Sequence, residues 1–323
     1  MATAEQVKSL IRTHFYDDTE RFITLALQVA AHEAQQGHSE LAHDIREIVD
    51  KAKRERGHVT IIKFPQDLRG LVLSEEPSVG MSSLVLPNSL KLRIHRIVHE
   101  YRQQQKLKSH GMSNRRKILL IGQPGTGKTM TAQALAHELR LQLHTIQVDK
   151  LVTKFMGETS AKLRQIFELI REERGVYLFD EFDAIGGERS LDNDVGEMRR
   201  VLNAFLQFIE HDVSDSIIVA ASNSPKLLDR ALFRRFDDVL HYGLPDYEAR
   251  KNLMQNVLGS FLPLRFPWRK VEMQSKGLSH AEVDYACRDA IKQAILDDKE
   301  IVSANLLYQM LAERQANRSG KRE

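Results

Sequence analysis

Eight residues limit the fold more than any other feature of the chain: Gly122-Gln123-Pro124-Gly125-Thr126-Gly127-Lys128-Thr129. An apolar strand candidate, Ile118-Leu119-Leu120-Ile121, runs into them, and a helical pattern, Met130–Leu139, runs out. The glycines let successive backbone N–H groups converge on one point without a Cβ in the way. The helix N-terminus adds partial positive charge there. The stretch fits the strand–loop–helix phosphate-binding pattern in full. In that pattern Lys128 reaches the β- and γ-phosphates and Thr129 holds Mg²⁺. The alternative is a glycine-rich turn without a ligand.

The rest of the chain arranges itself around this loop. Strand candidates recur at Lys117–Ile121, Leu143–Val148, Val176–Phe179, Ile217–Ala221 and Val239–Tyr242, with helical patterns between them. Such alternation predicts an α/β fold, a parallel sheet with helices on both faces. After Pro245 the strand signal stops, and helix candidates Tyr247–Phe261, Ser279–Asp297 and Ser303–Arg314 predict a helical domain over 246–323. Residues 3–56 read as a helical hairpin or three-helix unit, on the helical spacing of Val7, Leu10, Ile11 and Phe15 and of Phe22, Leu25, Val29 and Ala30. The β-branched run Val59–Lys63 and the punctuation by Pro65, Gly70, Pro77, Gly80 and Pro87 read as a linker with room for one strand pair. The expected division is therefore 1–75, 76–245 and 246–323, with a helix from about Asn88 to Gln105 opening the second unit.

Composition narrows the classes. Three hundred and twenty-three residues at 42% hydrophobic content suffice for a large core. Forty-seven Lys and Arg against 44 Asp and Glu leave +3, which argues for neither nucleic acid nor an anionic membrane. The basic clusters Lys51–Arg56 and Lys106–Lys117 read as solvated helix ends, with nucleic-acid binding as the other reading. A single cysteine, Cys287, rules out an internal disulfide and fits a reducing compartment. The Met1-Ala2-Thr3-Ala4 start lacks a signal-peptide pattern, and no apolar run approaches the ~20 residues of a membrane span. A cytoplasmic protein without a membrane partner is expected.

Two further strand ends carry chemistry. Val176-Tyr177-Leu178-Phe179 ends in Asp180-Glu181. In an open α/β sheet the ligand crevice lies at the carboxyl ends of the strands. A strand tip beside the phosphate loop puts Asp180 next to Mg²⁺ and Glu181 next to the γ-phosphate, where Glu181 polarises an attacking water. Alone, an Asp-Glu pair is more often an ordinary strand exit. The run Ile217–Ala221 leads to Ser222-Asn223, and the Asn223 amide can hydrogen-bond both γ-phosphate and water.

These elements in this order resemble the AAA+ ATPases. Leu228-Asp229-Arg230-Ala231-Leu232-Phe233-Arg234-Arg235-Phe236-Asp237, continued by Gly243-Leu244-Pro245-Asp246, resembles the second region of homology of the narrower AAA family. The resemblance covers about Leu84 to Arg314 and implies a P-loop αβα sandwich with a C-terminal helical lid and a small N-terminal helical domain for recruitment. It implies ATP hydrolysis with ATP and Mg²⁺ as cofactors, bound by Gly122, Pro124, Gly125, Thr126, Gly127, Lys128, Thr129 and Met130. It also implies a homo-oligomeric ring, a hexamer in the family, with Arg234 and Arg235 entering the neighbouring site. A guanidinium there stabilises charge on the transferring phosphoryl group; without the surrounding motif, two adjacent arginines read as a surface pair. Gly277-Leu278-Ser279-His280-Ala281-Glu282 lacks the nucleotide-sensing arginine of many wider AAA+ proteins and resembles the narrower family, with His280 and Ala281 near the adenine.

Lys154-Phe155-Met156-Gly157 matches the family's substrate pore loop. An aromatic ring grips an extended peptide by its apolar face without reading its sequence; the alternative is that Phe155 covers the core beneath a helix start. Gly186 through Gly196 resembles the second pore loop, and Glu197, Arg199 and Arg200 fall where subunits touch, or on a plain charged helix. The implied function is remodelling, unfolding or threading of a protein substrate. No protease motif is visible, so any proteolysis falls to a separate protease. Small bacterial proteins that resemble this one are in some cases paired with a subtilisin-like protease in antiphage defence. The rival is an ATP-dependent nucleic-acid machine, a clamp loader, helicase loader or transposition regulator. The aromatic loop and paired arginines favour a protein substrate.

Overall fold

The strand candidates are apolar at consecutive positions, as strands buried on both faces must be. In the computed structural model, Lys117–Gly122 (β2), Leu143–Gln147 (β3), Val176–Asp180 (β4), Ile217–Ser222 (β5) and Asp238–Tyr242 (β6) lie in one sheet. With Val72–Glu75 (β1) at its edge, the order is β1-β3-β4-β5-β2-β6, all parallel apart from β1. The structure describes residues 26–27, 29–30, 33–34, 38, 41–47, 49, 68, 70–151, 156–186, 195–224 and 230–319. Most of the expected N-terminal helical unit, the Val59–Lys63 run and the pore-loop residues Lys154 and Phe155 lie outside them. Within that N-terminal unit, residues 41–47 are helical.

Side chains alternate between the two faces along each strand. Leu119, Ile121, Tyr177, Phe179, Ile218 and Ala220 face one layer, built on Met156–Glu172 (α5) and Val195–His211 (α7) through Phe167, Ile170, Phe205 and Ile209. Ile118, Leu120, Leu178, Ile217 and Val219 face the other, built on Asn88–Arg102 (α1) and Lys128–Leu139 (α3) through Ile94, Ile97, Ala132 and Leu135. This is the expected αβα sandwich.

Three local results differ from the sequence reading. Val72–Glu75 (β1), assigned above to the linker, joins the sheet edge antiparallel to β3 in the register Val72↔Ile146. The helix expected through Gln105 breaks at Gln103 (φ −102°, ψ 16°) and resumes as Gln104–Ser109 (α2). The lid contains a helix the periodicity does not announce, Trp268–Ser275 (α10), two turns long with only Val271 and Ser275 buried. Short helices Val148–Leu151 (α4), Asp183–Gly186 (α6) and Arg230–Phe233 (α8) bridge the strands. Tyr247–Leu258 (α9), α10, His280–Leu296 (α11) and Ala304–Ser319 (α12) close on a separate core of Met254, Leu258, Leu278, Val283, Ala286, Cys287 and Leu307.

Polar contacts fix the entry into the lid. Asp246 caps α9 by accepting from the Ala249 N–H at 2.8 Å. Arg250, buried, donates to the Pro245 carbonyl at 2.7 Å and to Ser275 Oγ at 3.0 Å, so lid entry and α10 share one guanidinium. No described helix is long and apolar enough to cross a membrane.

Candidate nucleotide and metal site

The phosphate loop joins the carboxyl end of β2 to the N-terminus of α3. Gly125 and Gly127 take left-handed backbone (φ +72° and +98°), which a residue with a Cβ adopts only under strain. At Gly122 an added Cβ would meet the Tyr242 carbonyl oxygen at 2.4 Å, so this residue must be glycine for β6 to lie alongside. The loop is braced from within. Thr126, fully buried, donates to the Gln123 carbonyl at 2.7 Å, and Thr131 donates to the Gly127 carbonyl at 2.9 Å. Tyr242 in turn donates its hydroxyl proton to Thr131 at 2.8 Å, and burial raises the phenol pKa.

Three strand ends meet at this loop. Lys128, buried, donates to the carbonyls of Gly122 (2.8 Å) and Gln123 (3.0 Å) and to Asn223 Oδ1 (2.7 Å). Burial pulls its pKa down, and the nearby Asp180 and Asp183 carboxylates oppose that pull. Thr129 Oγ1 donates to Asp180 Oδ2 at 2.9 Å. Glu181, exposed, follows in a left-handed conformation (φ 51°) with its N–H on Asp180 Oδ1 at 2.9 Å. A non-glycine residue in that region is strained and persists only where its surroundings over-determine it. Thus two hydrogen-bonded pairs, Lys128–Asn223 and Thr129–Asp180, start from adjacent loop residues and gather three stretches far apart in sequence into one cluster, with Glu181 exposed beside it.

The lid completes the crevice. The Ala281 N–H, one of the orphan donors at the start of α11, reaches the Gly125 carbonyl at 3.0 Å. Ser279 caps the same helix in a reciprocal capping box with Glu282. His280 lies by the Val85 backbone and Asp246. Its burial lowers the imidazole pKa, and the Val85 carbonyl and Asp246 work against that. Met130 is half-buried against the core on the α1–α3 side, and Pro124 is exposed at the loop tip.

Arg234 is exposed at the end of α8 and makes no ion pair with any described residue, whereas Arg235 pairs with Glu210 at 3.0 Å. Leu228, Asp229 and the residues 187–194 lie outside the described residues. Met156 and Gly157 open α5, and Arg200 is exposed on α7.

Two contributors escape sequence reasoning. Asp183 Oδ1 accepts the Asn223 backbone N–H at 3.1 Å, a contact that no spacing rule announces. Ser279 is the second, missed although its Ser-x-x-Glu spacing with Glu282, the signature of a capping box, is the signal that could have found it.

The cluster fits a nucleoside triphosphate with a hard divalent cation. Left-handed glycines form the cradle, a buried ammonium faces it, and a hydroxyl and a carboxylate oxygen stand together at its edge. Residues 118–244 match the ATPase family associated with various cellular activities (AAA). An uncharacterized AAA family ATPase of Sinorhizobium fredii is 30% identical over 99% of this chain and 98% of its own length. A proteasome-activating nucleotidase of Methanopyrus kandleri is 31% identical over 76% of this chain and 59% of its own. The vacuolar protein sorting-associated protein 4 of Dictyostelium discoideum is 32% identical over 55% of this chain and 41% of its own.

Proposed function

The chain belongs to the AAA family of ATPases, and from that premise we propose that it works as an oligomeric ring that spends ATP on remodelling, unfolding or threading protein partners. The observation that carries the chemistry is the cluster of Lys128, Thr129, Asp180 and Asn223 at the carboxyl ends of three parallel strands.

In this reading the loop amides and Lys128 hold the β- and γ-phosphates. Thr129 and Asp180 would hold Mg²⁺, which would supply neutralising charge for the transferring phosphoryl group. Glu181 polarises a water for in-line attack on the γ-phosphorus. The bond from that phosphorus to the bridging oxygen breaks, and ADP and phosphate leave. Asn223, at the end of the neighbouring strand, orients the water and γ-phosphate. His280 and Ala281, against the loop, flank the base.

Assembly is supported by Arg234. A guanidinium that is exposed and unpaired among the described residues costs nothing to present to a neighbouring copy's γ-phosphate. Arg235, tied to Glu210, holds the same turn in place. A protein partner, rather than nucleic acid, is favoured by the fate of the Lys106–Lys117 cluster. Lys108 pairs with Asp215, Arg115 with Glu100 and Arg116 with the buried Asp212, so these cations are engaged within the chain. Substrate grip falls to Lys154, Phe155, Met156 and Gly157, and any protease is a separate chain.

The test is turnover per subunit across a dilution series. It should rise with protein concentration, and Arg234→Ala should lower it by about 10³-fold or more in the assembled form. Phe155→Ala should keep most of the ATPase while losing its stimulation by an unfolded protein. A dilute monomer as active per subunit as the concentrated enzyme would overturn the ring reading. Stimulation by DNA with a steep salt dependence would move the substrate to nucleic acid.

A further inference from the structure

The β4–β5 ladder runs in register from Val176↔Ile217 to Phe179↔Ala220 and then stops. Beyond it the first strand leads through Glu181 and Phe182 into α6, and the second ends at Ser222, followed by Asn223 and Ser224. The groups assigned above to the attacking water, Glu181 and Asn223, both lie in this unladdered stretch. Among the described residues, two hydrogen bonds still tie the exits together. The Phe182 N–H donates to the Ala221 carbonyl at 2.8 Å, with the Phe182 ring fully buried against Phe205 at 4.6 Å. The Asn223 N–H donates to Asp183 Oδ1 at 3.1 Å. The second tie needs a side-chain acceptor, because the backbone at 183 has already entered a helix. It falls on the residue whose own amide oxygen accepts from Lys128 at 2.7 Å.

We propose that Asp183 is a positioning residue for hydrolysis: its carboxylate oxygen fixes the backbone of Asn223 and thereby the aim of the Asn223 amide relative to Glu181 and Lys128. It touches neither phosphate nor water. The inference rests on the role given to Asn223, and what it requires of position 183 is an acceptor at the right reach, not a charge.

Steady-state ATPase of the full chain separates the cases. Asp183→Asn retains an acceptor at the same reach and should keep kcat within about threefold of wild type. Asp183→Glu keeps the charge but overshoots by one methylene, and Asp183→Ala removes the acceptor. Both should lower kcat by at least about tenfold with little change in the KM for ATP, since misplacement acts on the transition state. Asp183→Ala combined with Asn223→Ala should be no slower than Asn223→Ala alone. Full activity in Asp183→Glu, loss in Asp183→Asn equal to that in Asp183→Glu, or losses that add in the double variant would overturn the inference. Should Asp183→Ala not fold, the Asn and Glu variants still decide. An Asn223→Ala enzyme with undiminished kcat would instead remove the role of Asn223 itself, a failure of the site reading.

Discussion

Replacing Gly125 by alanine tests whether the phosphate loop and lid form one unit. The new Cβ would stand 2.8 Å from Ser279 Oγ and 2.9 Å from Ala281 Cβ, on a backbone at φ +72°. Three costs follow. Left-handed backbone in a non-glycine residue costs about 1–2 kcal/mol. Separating the loop from α11 breaks the 3.0 Å Ala281–Gly125 hydrogen bond, for about 1 kcal/mol. Displacing Ser279 weakens its cap on α11, for about 1 kcal/mol. Less unfolded-state entropy in alanine offsets about 0.4–1 kcal/mol, leaving a loss of about 3 kcal/mol. Gly111 is the control. It has the same left-handed backbone (φ +70°) with nothing within 4 Å, so Gly111→Ala should lose only about 1 kcal/mol. At about 2–4 °C per kcal/mol for a unit of this size, Gly125→Ala should melt about 6–12 °C below wild type and Gly111→Ala about 2–4 °C below. Differential scanning calorimetry of the three proteins reads both. Equal melting of the two variants would refute the docking of the lid on the loop.

Glu181→Gln should bind ATP as wild type does and lower turnover by at least about 10²-fold, as expected for loss of a general base; equilibrium binding and phosphate release measure the two, and undiminished turnover would remove the role. His144 supplies a pH dependence. Buried between Ser74, which it meets at 2.7 Å, and the stacked ring of Tyr177, it has a pKa pulled by burial from 6.5 to about 4. The unfolded chain therefore binds more protons than the folded one between these values. That stability is fully present above pH 6.5 and falls by about 3 kcal/mol as pH drops toward 4. His144→Gln should flatten the slope of urea stability against pH across this window, and an unchanged slope would exclude His144 as its source.

The sheet was legible because its strands are buried on both faces and read as continuous apolar runs, such as Ile118–Ile121 and Ile217–Ala221. β1 escaped because Val-Leu-Ser-Glu is short and half-exposed at an edge, and its pairing with β3 is non-local. The loop, Asp180, Glu181 and Asn223 were legible because each follows such a run directly. The structure adds the joints among them: Lys128 to Asn223, Thr129 to Asp180, Asp183 to the Asn223 backbone and Gly125 to Ala281. These join residues tens to more than a hundred positions apart, and a single sequence carries no record of such meetings.

Gly122 abuts the backbone of Tyr242, and Tyr242 is one residue ahead of Gly243, where the chain leaves the sheet for the lid. With no side chain between them, the two strands meet like a cam on its follower. A displacement of Gly122 would therefore be felt at the last rung of β6, immediately before the chain departs for the lid. The helical cap thus meets the loop twice, at its root through Gly122 and Tyr242 and at its far rim where α11 touches Gly125, so a swing of the cap would have to carry the loop with it.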